Sequence, residues 1–309
     1  MPTYFAPPLQ PGIISVLQTP FDAGGNVDHD SITRLVEDAI AAGVNGFLVP
    51  AVASEVAYLS RDERFDIVRH VARVTVNRVP LIVGASANEV AECQAFAPLA
   101  DEVGAAAWLV AVPARLYQQP DELVPFFDGI ARATNTPLII QDLEWNGPGL
   151  SIEQIANLKA ALPTLIGIKI ETIPAGPKYS KVRDQFGDDF FISGGWAVPQ
   201  WIEALDRGVD AMIPETAMIP VYAPILRDYQ SGNRPRALCR FRRLLPVLTF
   251  TNQEITLSIA FFKRLLVRRR IFTTENLRMP GFTWDAYNTR IADELIELYF
   301  ELESEFRDL

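Results

Sequence analysis

The stretch Leu165-Ile166-Gly167-Ile168-Lys169-Ile170 follows Pro163 and a turn, and an apolar run this short reads as a buried strand. One residue breaks the pattern. A buried ammonium is costly unless it is paired or neutralised, so a lysine held inside such a run calls for a chemical reason. Desolvation lowers an amine's pKa, and an amine that is partly neutral can attack a carbonyl to form a Schiff base. The chain has five lysines, none before position 159, which makes this one the more conspicuous.

Working outward, similar short runs recur: Gly12 to Thr19, Gly46 to Ala51, Pro80 to Ala85, Ala106 to Val112, Pro137 to Asp142, Phe190 to Gly194 and Asp210 to Ile213. Between them lie amphipathic stretches such as Asp30 to Ala42, Arg61 to Val74, Ala87 to Val103 and Pro120 to Ala133, several opening with Asp or Ser at the N-cap place. Gly43 and Gly104 supply the residue that ends a helix before the next strand. An open doubly wound sheet uses the same alternation, but eight repeats favour closure into a (β/α)8 barrel. After Asp228-Tyr229-Gln230-Ser231-Gly232-Asn233-Arg234-Pro235 the strands stop. Helical patterns at Arg236 to Leu248, Gln253 to Arg269 and Thr283 to Leu302 then predict an appendage, dividing the chain into a barrel over 1–232 and a three-helix unit over 233–309.

Composition narrows the function. With 28 basic against 38 acidic residues the formal charge is −10, which argues against nucleic acid and anionic lipid as partners. Cys93 and Cys239 form no C-x-x-C pair, and the scattered carboxylates and isolated His29 and His70 have no ligand spacing, so neither a disulfide framework nor a metal is expected. No G-x-G-x-x-G or G-K-[ST] pattern follows a strand, which removes the usual support for a nucleotide cofactor. Nothing near Met1 resembles a signal peptide and no apolar run of about 18 residues occurs, so a cytoplasmic location is expected.

A barrel of this type builds its active site at the C-terminal ends of the strands. That rule nominates Thr19, Ser54 with Glu55, Ser86, Tyr117, Gln141 with Asp142 and Glu144, Lys169 with Glu171, Gly194 with Trp196, and Glu215. Each has a plainer reading: Glu55 as the partner of a nearby arginine, Tyr117 as an exposed loop residue, Trp196 as packing, Glu171 as the carboxylate that keeps Lys169 charged and inert. The basic patch Lys263, Arg264, Arg268, Arg269, Arg270 reads as a solvated helix end or a subunit contact.

The lysine ending the sixth strand, Thr19-Pro20-Phe21 after the first and Glu55-Val56-Ala57-Tyr58-Leu59-Ser60 after the second together resemble the dihydrodipicolinate synthase and N-acetylneuraminate lyase family over almost the whole chain. The resemblance implies a (β/α)8 barrel with a C-terminal helical domain, a homotetramer, and a Schiff-base lysine, here Lys169, acting on pyruvate or another 2-keto acid. Two departures matter. Where the family usually has Gly-Thr-Thr-Gly-Glu this chain has Ala51-Val52-Ala53-Ser54-Glu55, and the proton-relaying tyrosine and arginine near the fifth strand are replaced by Gln141-Asp142-Leu143-Glu144-Trp145. An amide does not transfer a proton as a phenol does. Ser54-Glu55, Gln141-Asp142, Lys169-Ile170-Glu171-Thr172 and the Gly-x-Trp at Trp196 look like the 2-keto-3-deoxy-L-arabonate dehydratase branch.

The expectation is therefore a dehydratase in which Lys169 is the nucleophile. Glu144, Tyr117 or a water held by Gln141 and Asp142 would supply the acid. Ser54 and the backbone near Ala53 would hold the carboxylate, Gln141, Glu171 and Trp196 would shape the pocket around the sugar hydroxyls, and Asp142 and Gly194 are further substrate-binding candidates. An aldolase of the same family is the alternative, and a non-catalytic keto-acid-binding barrel the rival of another class.

Overall fold

A computed structural model describes residues 7–195 and 199–307. Eight parallel strands close into a barrel in sequential order: β1 (Gly12–Val16), β2 (Gly46–Val49), β3 (Leu81–Gly84), β4 (Ala107–Ala111), β5 (Leu138–Glu144), β6 (Leu165–Thr172), β7 (Phe191–Gly194) and β8 (Ala211–Met212). All eight runs read from the sequence are strands, and β8 pairs back with β1 through Gly12–Ala211 and Ile13–Met212. Closure leaves no edge strand exposed.

The helices are α1 (His29–Ala42), α2 (Arg61–Thr75), α3 (Val90–Gln94), α4 (Ala97–Glu102), α5 (Pro120–Ala131), α6 (Ile152–Ala161), α7 (Gly176–Phe186), α8 (Trp201–Asp206), α9 (Ile219–Gln230), α10 (Arg234–Thr251), α11 (Ile255–Arg268) and α12 (Ala286–Arg307). Their starts follow the sequence closely. Asp28 accepts the Ser31 amide ahead of α1, and capping boxes Ser60/Glu63 and Ser151/Gln154 open α2 and α6. Gly43 ends α1 at φ 98°, a left-handed conformation that an L side chain resists. The single helix expected over Ala87 to Val103 is instead broken into α3 and α4. Pro98 sits in the first turn of α4 and has no N–H to donate back to the Gln94 carbonyl, so the turn cannot continue.

Because side chains alternate along a strand, each strand feeds two cores. Ile14, Leu48, Ile82, Leu109, Ile139 and Ile213 fill the barrel interior, whereas Ile13, Phe47, Val83, Trp108, Ile140 and Ile168 pack outward under the helices. The same phase assigns faces at the strand ends. Gln141 and Leu143 of β5, and Lys169 and Glu171 of β6, face inward; Asp142 and Ile170 face outward. Gln141, Lys169 and Ser193 lie side by side in the register of β5, β6 and β7.

The C-terminal helices are joined to the barrel by a buried ion pair. Glu55, in a left-handed conformation at φ 56°, directs its carboxylate to the amine of Lys263 on α11 and accepts the backbone amides of Arg278 (2.7 Å) and Met279 (2.9 Å). Lys263 is fully buried, with its amine 4.3 Å from the centroid of Phe21. This corrects the reading of Lys263 as part of a solvated patch, and of Glu55 as an arginine's surface partner. Arg264, Arg268 and Arg269 are engaged as well, with Asp293, Glu297 and Asp38. The pairings of Lys263 and Arg269 were illegible because their partners lie 208 and 231 residues away in the chain.

Candidate active site

At the C-terminal end of the barrel a narrow inner chamber of about 50 Å³ is lined by Ala53, Gln141, Leu143, Lys169, Glu171 and Glu215, among others. It abuts a vestibule of about 550 Å³ formed by the ends of β5 to β8 and the start of α11. Trp145, Glu171 and Ile255 line both. Ser258 and Phe262 of α11 complete the inner wall, so the helical appendage roofs the barrel mouth.

Lys169 is 4 % exposed and its amine lies 2.9 Å from Oε2 of Glu171. Gln141 donates its side-chain amide to the same carboxylate oxygen. Glu171 is thus held between an amide and an amine, able to orient the amine and to accept its proton. Gly195 makes room for this group: a Cβ there would lie 2.1 Å from Oε1 of Glu171 and 2.7 Å from Cε of Lys169. The lysine therefore combines the two features required of a nucleophilic amine, a neighbouring base and an opening to a ligand.

Glu215 follows β8, bridged to Val16 of β1, and turns inward. It is 6 % exposed. Its Oε2 accepts long hydrogen bonds from the Gln18 amide (3.4 Å) and the Met218 N–H (3.3 Å), Oε1 makes no close hydrogen bond, and the buried Tyr222 hydroxyl and the Ala217 amide lie near the carboxyl. Burial pushes its carboxyl up to about 7, although neighbouring donors pull the other way.

Several residues expected at the site sit elsewhere. Asp142 faces outward, where it pairs with Lys178, accepts the Leu150 amide at 3.1 Å and accepts the Tyr117 hydroxyl at 3.0 Å. Burial raises the Asp142 carboxyl and lowers the Lys178 amine. Tyr117 is likewise raised, by burial and by the carboxylate beside it, which makes its phenol a poor acid as well as one directed away from the chamber. Glu144 shares the outward phase of Asp142 and accepts the Asn146 N–H at 3.1 Å. The Ser54 hydroxyl donates to the Leu17 carbonyl at 2.5 Å and accepts the Ala51 N–H at 3.0 Å; it braces the loop, and Ala53 beside it lines the chamber. Gly194 also points outward, toward Tyr179 and Met212, and it is Gly195 that lines the vestibule. Trp196 lies outside the described residues. Thr19 holds the Ser54 carbonyl at 2.8 Å and Ser86 accepts the Ala111 N–H at 2.9 Å. The histidines meet each other between α1 and α2, with ring centroids 4.8 Å apart.

Among the described residues no cluster of His, Cys, Asp or Glu could hold a metal ion, and no helix is long and apolar enough to cross a membrane.

Comparison with known proteins agrees with this architecture. A 4-hydroxy-tetrahydrodipicolinate synthase of Bartonella quintana is 32 % identical over 191 residues, 60 % of this chain and 63 % of that protein. An L-2-keto-3-deoxyarabonate dehydratase of Azospirillum brasilense is 26 % identical over 279 residues, 88 % of this chain and 89 % of its own. The crystal structure of dihydrodipicolinate synthase from Rhodopseudomonas palustris superposes with a TM-score of 0.87 at 20 % identity, covering 96 % of this chain and 100 % of the other. The profile of the dihydrodipicolinate synthetase family matches residues 10–286. With most of its length inside that match, the chain belongs to the dihydrodipicolinate synthetase family.

Proposed function

We propose that the protein is a Schiff-base lyase acting on a 2-keto acid, and that it removes water from a 2-keto-3-deoxy sugar acid. The carrying observation is the amine of Lys169, buried inside the barrel, in contact with Glu171 and open to the chamber. Glu171 accepts the amine's proton as the nitrogen attacks C2 of the keto acid. Loss of water gives an iminium, which acidifies the C3 protons by serving as an electron sink. Their removal yields an enamine, whose electron pair expels the C4 hydroxyl. In a pentonate a C5 proton of the resulting conjugated iminium is lost and one is gained at C3, hydrolysis frees the lysine, and the C4–C5 enol ketonises to the semialdehyde.

Two observations support dehydration over carbon–carbon cleavage. Among the described residues no tyrosine lines the inner chamber, and Gln141 occupies its β5 wall instead. The relative matched over the larger share of both chains is a dehydratase. The aldolase reading keeps support from the synthase relatives, since the same enamine serves both reactions. The substrate enters through the vestibule, where Thr172, Gln200, Asn252 and Gln253 offer hydrogen bonds to hydroxyl groups.

The test is to incubate the protein with a 2-keto-3-deoxypentonate and borohydride and to weigh it. A mass gain that disappears in Lys169→Ala supports the lyase. No adduct with this acid or with pyruvate would favour a barrel that binds without turnover. Without borohydride, 2-ketoglutarate semialdehyde marks dehydration, whereas pyruvate plus an aldehyde marks cleavage.

A further inference from the structure

Four carboxylates lie deep in the barrel or against its mouth, and three of them have an ammonium partner: Glu55 with Lys263, Asp142 with Lys178 and Glu171 with Lys169. Glu215 is the exception among the described residues. It is more than nine-tenths buried and has no cation beside it; its Oε2 accepts two long hydrogen bonds, its Oε1 makes no close one, and the buried Tyr222 hydroxyl and the Ala217 amide are the remaining donors near it. It nevertheless lines the same chamber as Lys169, on the wall formed by β8 and β1. An uncompensated buried carboxylate is unfavourable, and a fold tolerates one where its proton is used.

We propose that Glu215 is the acid and base of the Schiff-base cycle, giving a proton to the oxygen that leaves C2 of the Lys169 adduct and then taking one from C3. This rests on the lyase reading above. In the first step the C2–O bond breaks with its electron pair, the nitrogen lone pair forms the C=N bond, and the Glu215 proton completes the departing water. In the second, the C3–H pair becomes the C2=C3 bond, the C=N pair returns to nitrogen, and the proton restores the Glu215 acid. That acid can protonate the C4 hydroxyl as its C–O bond breaks. A water that later adds to C2 returns the proton to the carboxylate, so the cycle ends as it began.

The surroundings suit a group that must cross between its two forms. A carboxyl driven up to about 7 is present as acid and as carboxylate near neutrality. The charged or titratable neighbours are Lys169 and Glu171 across the chamber on β6 and Tyr222 on α9; the facing side chains of β1 and α11, Val16, Gln18, Ser258 and Phe262, carry no charge. Glu171, committed to the lysine and to Gln141, is left to orient the amine and to hold the proton the amine gives up on attack.

Pyruvate in heavy water provides the test, because its methyl protons exchange only through the enamine. Exchange is followed by proton NMR, and adduct formation by borohydride trapping and mass. In the wild type we expect exchange that requires Lys169 and changes slope near neutral pH. Glu215→Gln should still trap pyruvate on long incubation, lose exchange by about 100-fold or more and lose the inflection, and Glu215→Asp should recover part of the rate. Wild-type exchange and an unchanged pH profile in Glu215→Gln would overturn the proposal while leaving the lyase reading intact. Absence of any adduct in the wild type would remove both. Should Glu215→Gln fail to fold, judged by circular dichroism, the wild-type profile and Glu215→Asp decide: a rate flat between about pH 5 and 9 overturns the assignment.

Discussion

Replacing Glu55 by glutamine isolates the contact that fastens α11 over the chamber. The substitution keeps the volume and one oxygen acceptor for the Arg278 and Met279 amides but removes the charge opposite Lys263, which has no access to water. Burial already pushes the Lys263 amine down from its ordinary 10.5 to about 8. Deprived of its carboxylate, the amine escapes by losing its proton, which at pH 7 costs on the order of 1 kcal/mol. The weaker acceptor for two buried amides adds roughly 1 kcal/mol, giving a loss of about 2–3 kcal/mol in all. The amine's share grows to about 3 kcal/mol at pH 6 and vanishes by pH 9, where the amine is already neutral. The sign in the wild type is consistent: with the folded pKa below the unfolded one, the unfolded chain holds more protons between about 8 and 10.5, and this group's contribution to stability rises with pH across that window. Urea denaturation of both proteins at three pH values measures the difference. A loss under about 1 kcal/mol at neutrality, or one that does not shrink toward alkaline pH, would refute the account.

Other outcomes follow from the same geometry. Gly195→Ala places a methyl group 2.1 Å from Glu171 and should lower borohydride trapping and turnover by about 10-fold or more, one tenfold step for each ~1.4 kcal/mol of lost alignment, with little change in folding. Tyr117→Phe removes a hydroxyl directed at Asp142 on the outer face, so kcat should stay within about 3-fold of the wild type while stability falls by about 1–2 kcal/mol; a loss of turnover without loss of stability would return Tyr117 to the reaction. The Glu215 carboxyl, raised from 4.5 to about 7, favours folding below its unfolded value, and this contribution is lost as pH rises through the folded one. At about pH 8 Glu215→Gln should therefore be more stable than the wild type by roughly 3 kcal/mol in urea titration, and equal stabilities at that pH would contradict the burial argument.

Local pattern was sufficient for much of this protein. Eight short apolar runs separated by capped amphipathic segments are set by residues near one another in the chain, and they led to the barrel and its trailing helices. Lys169 stood out for the same reason, since an amine inside an apolar run is anomalous wherever the strand packs. The phase of β5 was not legible. A parallel strand in a barrel is apolar on both faces, so Ile139 and Ile140 gave no sign that Gln141 turns inward while Asp142 and Glu144 turn out to the helices. Only closure of the barrel decided that, and with it the removal of Tyr117 and Asp142 from the chamber. Tertiary structure also brought Glu215 from the segment after β8, and Ser258 and Phe262 from α11, to the chamber of a lysine that precedes them by 46 residues or more in the chain. Which carboxylate receives a counterion and which stays uncompensated depends on contacts of that span, and sequence spacing does not encode them.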